Sequence, residues 1–372
     1  MEMNFRYELS KEQKSKWTEF WSTNQHTYPR QHPVFAEIER GMGRTPIFVS
    51  GEVDGSIVCI GIFSIRPLFW GGRFSLEAYC LRGPVFDNVE LFKEFIQCVI
   101  ARFKKLGIGS VRISPYWQFP EAEEVESVLA ELGFLPYNRR EGTRSSTGYV
   151  DLTRSEDEIL AAFSKQSRYH IRKAEKSALE IRPVTDMDEA ILTFRCLSNM
   201  RTIRGLTPMS LSEFRALFQY VLRHKEQGVL LGAFWETEFL GGLWIIRDPC
   251  TTHIPCYAIE ADTCKRLTGT LTIGYPLWWQ AMKLAKEKRC HWFDVEGYSE
   301  AAEESSRVYQ IYKFKGNFHP KPVKIISEHI CVCNTVTYSI YEGHRFFLRG
   351  CRFLRSLPYR IDKQFRSNKA EK

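Results

Sequence analysis

The feature that most limits what this chain can become is an order of elements that runs twice. Apolar residues alternating with polar ones mark strands, and apolar residues three or four apart mark helices. Lys11–Thr23 reads as an amphipathic helix carrying Trp17, Phe20 and Trp21. Residues 45–50 and 56–65 read as strands joined by an Asp54-Gly55 hairpin turn, and 75–81 as a further strand. Residues 89–106 have Phe92, Phe95, Val99 and Phe103 on one helical stripe, stopped by Gly107. Strands at 110–114 and 147–152 flank a helix at 121–132. The order then restarts. Ser155 with Glu158 forms a capping box for one helix running to about Ser177, before a strand at 179–183. Helices at 186–204 and 210–225 precede a meander of strands at 229–236, 240–247 and 253–259. A helix at 269–288 follows, which Pro276 kinks or begins; a strand at 291–293 and a last strand at 322–332 complete the series. This predicts an α/β protein with mixed sheets. Two similar domains, 1–150 and 151–334, are joined without a flexible spacer, and a cleft between them is the expected ligand site.

At 372 residues, 44% hydrophobic and 26% charged, the chain can fill two cores. No apolar run reaches the roughly 18 residues of a membrane span, and the first residues lack the apolar region of a secretory signal. The 11 cysteines are scattered, several within apolar runs, which suits reduced thiols and a cytoplasmic location. The net charge is +8, and from Gly343 onward six Arg and three Lys face only Asp362 and Glu371. The excess therefore sits in residues 335–372, expected as a basic amphipathic tail. That tail either lies peripherally on an anionic membrane through 343–372 or docks on the body.

Chemistry concentrates in two stretches. In the first, Asp294-Val295-Glu296-Gly297 follows a short strand, and Tyr312-Lys313-Phe314-Lys315-Gly316 comes after a Ser- and Glu-rich loop. An acid at a strand end and a lysine held among rings can place a cation beside developing negative charge. The same residues also fit a strand, a loop and a solvated amphipathic segment. In the second, Lys165, Arg168, Arg172 and Lys176 share one helical face, while Ile159, Phe163, His170 and Ala174 share another. That cationic stripe suits phosphates or plain solvation. Cys250, His253 and Cys256 lie close together, as do Cys331 and Cys333, yet the matched pairs of a zinc site are missing, so no metal is expected. Arg266-Leu267-Thr268-Gly269-Thr270 faintly echoes a coenzyme A pyrophosphate loop, with Leu271 where a small residue would end it.

Residues 257–318 resemble the C-terminal part of the FemABX aminoacyltransferases and their BioF-like acetyltransferase relatives in the GNAT superfamily. The matching features are Arg266; the helix with Trp278, Trp279, Gln280, Ala281 and Ala285; Phe293-Asp294-x-x-Gly297; and Tyr312-Lys313-Phe314-Lys315-Gly316-x-Phe318. The basic helix, with Ser164, Arg168, Ile171, Arg172, Lys173 and Ala174, resembles the family's segment at the start of its second domain. The likeness spans most of 152–323 in order. Glu296 departs from the family, which usually has a small residue there. The resemblance implies two tandem GNAT-like domains and transfer of an acyl or aminoacyl group to an amine. It places Lys315 at the active site; on general acid–base grounds Asp294 or Glu296 is the candidate to take the amine's proton, directly or through water. Gly297, Tyr312, Lys313, Phe314, Arg168, Arg172, Lys173 and Arg266 are the candidate substrate-binding residues.

On this reading no cofactor is held, and the donor is a substrate, aminoacyl-tRNA or acyl-CoA. The first reading is transfer from aminoacyl-tRNA, whose acceptor end meets the cationic surfaces, to an amine-bearing cell-envelope precursor such as one of peptidoglycan. The alternatives are a CoA-dependent N-acetyltransferase acting on a sugar amine or lipid-linked glycan, and an inactive envelope-assembly adaptor.

Overall fold

A computed structural model describes residues 1–67, 75–137, 145–203, 209–300, 303–304, 309–340 and 342–343. Two sheets organise it. The first runs β1 (Glu2–Arg6), β2 (Thr45–Val53), β3 (Ser56–Pro67), β4 (Ser75–Cys80), β6 (Ser110–Ile113), β15 (His329–Val332), β7 (Leu135–Pro136), with β5 (Val85–Phe86) beside β3. The second runs β14 (Lys321–Lys324), β8 (Ser146–Asp151), β13 (Trp292–Asp294), β12 (Thr251–Ile259), β11 (Glu238–Arg247), β10 (Gly228–Trp235), β9 (Leu179–Pro183). Most neighbours are antiparallel, and each sheet has one parallel pair, β4–β6 and β12–β13. The fold is therefore mixed α/β, as expected.

Local chemistry explains most elements. Asp54 and Gly55 take φ of 51° and 77°, the two left-handed positions a two-residue hairpin demands, and Val53 pairs with Ser56. α3 (Val89–Lys105) is capped by Asn88 and buries Phe92, Phe95, Val99 and Phe103 on the first sheet. α1 (Lys11–Thr23), α2 (Ala36–Gly41) and α4 (Ala122–Glu131) complete the helices of the first half. In the second half α7 (Met187–Ile203) and α8 (Leu211–Arg223) cover one side of the sheet, and α9 (Ala261–Thr268) and α10 (Gly274–Glu287) belong to the other core. α10 begins at Gly274, so Pro276 lies in its first turn, where a missing N–H costs nothing. Its face Tyr275, Trp278, Met282 and Ala285 is buried, worth about 2 kcal/mol for each large side chain.

Two sequence expectations are corrected. The single helix expected from Ser155 to Ser177 is two, α5 (Glu156–Ala162) and α6 (Lys165–Glu175), because Ser164 turns extended and caps a new start with its hydroxyl on the Ser167 N–H. The expected last strand at 322–332 divides between sheets. Lys321–Lys324 pairs with β8 in the second, and His329–Val332 pairs with β6 and β7 in the first. Between them Ile325 and Ile326 are buried, and backbone bonds Phe119 N–H to Lys324 O and Ile326 N–H to Trp117 O stitch the crossing. β8 itself spans 150/151, and residues 329–332 add a strand to the first sheet. The tail from 344 onward lies outside the described residues.

Candidate functional site

Register brings the site together. Asp294 ends β13, and its cross-strand partners are His253 on β12 and Tyr149 on β8. Residues opposite one another share a sheet face, so imidazole, carboxylate and phenol stand in a row. Thr147, two residues along β8, joins the same face. That face meets the first half of the chain. The Tyr116 hydroxyl donates to Asp294 Oδ2 at 2.5 Å and lies 2.6 Å from the Tyr149 hydroxyl. Thr147 donates to Asp294 Oδ1, as does the Glu296 N–H at 2.7 Å. His253 Nδ1 stands 3.1 Å from Asp294 Oδ2, and Nε2 stands 2.8 Å from Asp248 Oδ2.

Past Asp294 the chain makes a sharp turn in which Glu296 and Gly297 both have φ of 54°. For Gly297 this is free, whereas Glu296 carries a strain of about 1–2 kcal/mol. The turn aims the carbonyls of 296 and 297 at one point, and the Lys315 ammonium donates to both, the Gly297 contact at 3.0 Å. Lys315 lies on α11 (Tyr309–Gly316), a helix held by Phe314. The Phe314 ring stacks on Tyr257 at 5.7 Å and meets Trp278 edge-on at 5.2 Å. The Glu296 carboxylate reaches the other way, accepting from the Tyr28 hydroxyl and lying 3.9 Å from Arg82.

The core of the cluster is buried, with Glu296 and Lys315 partly exposed. Among the described residues Asp248, Asp294 and Glu296 gather with Arg82, protonated His253 and Lys315. Burial alone would strip the proton from His253, but hydrogen bonds to Asp248 and Asp294 outweigh it and hold the imidazolium up to about 10. Burial pushes Asp294 up, and its bonds from His253, Thr147 and Tyr116 pull it below the usual carboxylate range. Burial lowers Lys315 from 10.5 to about 8, with Glu296 and Asp294 opposing. Tyr28 is raised well above 10 by burial and by Glu296 beside it.

His253, Asp294 and Glu296 offer ligand atoms within 4.8 Å of one another, the reach a metal ion needs. However, each His253 nitrogen faces a carboxylate oxygen, so both carry protons and neither has a lone pair to give. The donor set suits a bound proton better than a cation.

The remaining candidates divide. Tyr312 and Phe314 pack near the site, whereas Lys313 is exposed beside the Tyr309 ring at 5.8 Å. The basic stripe forms a cleft of about 500 Å³ lined by Lys165, Arg168, Tyr169, Arg172, Lys173 and Lys176. Among the described residues none of its five cations is ion-paired. Arg168 donates to the carbonyls of Ala161 and Phe163, which the break before α6 leaves open. Lys173 donates to Thr270 Oγ1 at 2.7 Å, tying the stripe to the turn before α10. Arg266 is displaced from this cleft, with its guanidinium exposed beside Glu238 at 3.8 Å.

Sequence reasoning missed Tyr28, Arg82, Tyr116, Thr147, Asp248 and the role of His253. Only His253 left a trace, as a polar residue inside an apolar strand run; Asp248 acts on neighbours two to five positions away, and Tyr28, Arg82, Tyr116 and Thr147 are assembled by contacts across more than 30 residues.

No family model and no curated protein matches the sequence. Among solved structures the chain is similar to the crystal structure of FemX, at TM-score 0.76 and 14% identity over 91% of this chain and 99% of that one. It is also similar to a tandem GNAT protein from the clavulanic acid biosynthesis pathway, at TM-score 0.54 and 10% identity over 89% and 99% of the two chains. A third similar structure is L-PGS from Bacillus licheniformis, at TM-score 0.50 and 11% identity over 86% and 91%. At these identities the likeness establishes the fold alone, a tandem GNAT-like arrangement of two mixed sheets.

Proposed function

We propose that this protein is an N-acyltransferase that moves an aminoacyl group from an aminoacyl-tRNA to an amine of a cell-envelope precursor. One observation carries the reading. Lys315 has three N–H donors, two are spent on the carbonyls of 296 and 297, and among the described residues the third finds no acceptor. A fixed ammonium with one donor to spare is suited to an oxyanion.

In the proposed step the amine nitrogen attacks the ester carbonyl and the carbonyl oxygen takes up negative charge beside Lys315. Collapse forms the amide and breaks the bond to the ribose oxygen. Glu296 receives the amine's proton and returns it to that leaving oxygen. Asp294 is the less suited base, since both of its oxygens already accept two hydrogen bonds each. Its proposed role is to hold the turn. Arg172, Lys173 and Lys176 would receive the donor's phosphates.

The choice of donor rests on β12. Its parallel pairing with β13 stops at His253, and the strand beyond is lined by Tyr257, against which Phe314 and Trp278 pack. We take rings packed along that strand to favour an ester at the end of an RNA strand over a long pantetheine arm.

The test offers charged tRNA and radiolabelled acetyl-CoA separately to the purified protein, with a lysine-containing precursor peptide. Label in the peptide from charged tRNA alone is the expected result, and label from acetyl-CoA alone would reverse the donor. No transfer from either, together with unaltered envelope precursors in cells lacking the protein, would favour an adaptor.

A further inference from the structure

We propose that His253 is a positioning residue: an imidazolium bridged between Asp248 and Asp294 that fixes the 294–297 turn and, through it, the backbone cradle of Lys315. The idea deepens the reading of Lys315 given above, and it rests on geometry that needs no substrate.

His253 is completely buried. Asp248 Oδ2 meets one ring nitrogen, and Asp248 Oδ1 accepts from the backbone N–H groups of Cys250 and Thr251 at 2.9 and 2.7 Å. Asp294 Oδ2 meets the other nitrogen, and Asp294 Oδ1 accepts the N–H of Glu296. The ring therefore links two turns, one opening β12 and one closing β13. The second is the strained one. Glu296 sits at positive φ, a conformation that persists only where its surroundings hold it. In that conformation two successive carbonyls converge on the Lys315 ammonium.

Electrostatics adds a second argument. The charged and titratable groups around the ring are Asp248, Asp294 and Glu296, the last at 3.8 Å, with Tyr28 and Tyr116 packed on it at 4.4 and 5.8 Å between centroids. Arg82 lies over the Tyr28 and Tyr116 rings. Two neighbouring carboxylates raise the proton affinity of Lys315. The His253 charge offsets them, so it sets how readily Lys315 gives up its proton as well as where it lies.

Three measurements test this without turnover. In the wild-type protein, ¹⁵N NMR of labelled histidines should find both His253 ring nitrogens protonated at about pH 8.5; loss of a proton near the ordinary value of about 6.5 overturns the proposal. Competitive acetic anhydride labelling, read by mass spectrometry, gives the titration midpoint of Lys315. His253→Gln should move that midpoint up by on the order of one pH unit, about tenfold in labelling rate. His253→Gln with Asp248→Asn restores the net charge and should return the midpoint most of the way. A folded single variant with an unmoved midpoint, or a double variant no different from the single, refutes the role. Transfer assays then stand apart: a shifted midpoint with no transfer by the wild type would reject the proposed reaction and leave the positioning of Lys315 intact.

Discussion

Replacing Lys315 by methionine should make the protein less active and, relative to wild type, change its stability in a way that depends on pH. The side chain stays unbranched and nearly as long, and loses its charge. Lys315 falls from 10.5 to about 8 on folding, because burial disfavours the ammonium more than Glu296 and Asp294 favour it. At about 1.36 kcal/mol per pH unit, holding the proton in the folded state costs about 3 kcal/mol at neutral pH. The sign follows from proton counts. Between about 8 and 10.5 the unfolded chain binds more protons at this site than the folded one, so stability rises with pH across that window. The penalty is complete below the folded value and relieved as pH climbs through it. From about pH 7 to about pH 9.5 the wild type should recover roughly 2 kcal/mol that the methionine variant never lost. Urea unfolding of both proteins at the two pH values gives the number as a difference of differences, in which other titrating groups cancel. Turnover should drop about a hundredfold, as for loss of an oxyanion donor. A stability difference that does not change with pH would show that the ammonium is hydrated, and the argument for a desolvated cation at the seam would fall.

Asp294→Ala leaves the Tyr116 and Thr147 hydroxyls, the Glu296 N–H and the His253 charge without their acceptor, and should cost about 3–5 kcal/mol in urea unfolding. Because Asp294 is depressed in the fold, its contribution is present above its unfolded value of about 3.9 and lost as pH falls through the folded one; an acid titration followed by circular dichroism checks this. Gly274→Ala would drive a methyl group into Tyr257 Oη and within 3.1 Å of Phe314, and thermal unfolding should report a loss of about 1–3 kcal/mol. Arg172→Glu with Lys176→Glu should weaken binding of charged tRNA at least tenfold and flatten its salt dependence, leaving the melting temperature nearly unchanged.

Elements whose logic is local were readable in the sequence. Asp54-Gly55 specified its hairpin, Gly107 stopped a helix, and Ser155 with Glu158 made its capping box. The break at Ser164 was not readable, since the apolar spacing continues through it, and only the competition between Ser164 as a cap and as a helix interior residue decides the matter. Residues 322–332 misled for a different reason. Their alternation fits a strand in either sheet, and nothing in the pattern records that the pairing partner changes at Ile325. At the site, the turn and the lysine-bearing segment each stood out because each is a short contiguous run, and they meet across fewer than 20 positions. Tyr28, Arg82 and Tyr116 were not, because their meaning depends on a partner up to 268 positions away.

The strand exchange between the halves has a consequence for how the chain is made. The side of β6 that receives His329–Val332 stays open until those residues leave the ribosome. For most of synthesis the N-terminal sheet therefore carries a bare edge, the kind that recruits stray chains. Truncation before residue 329 should yield insoluble product rather than a smaller working protein, and two fragments cut near 150 should recover only when produced together.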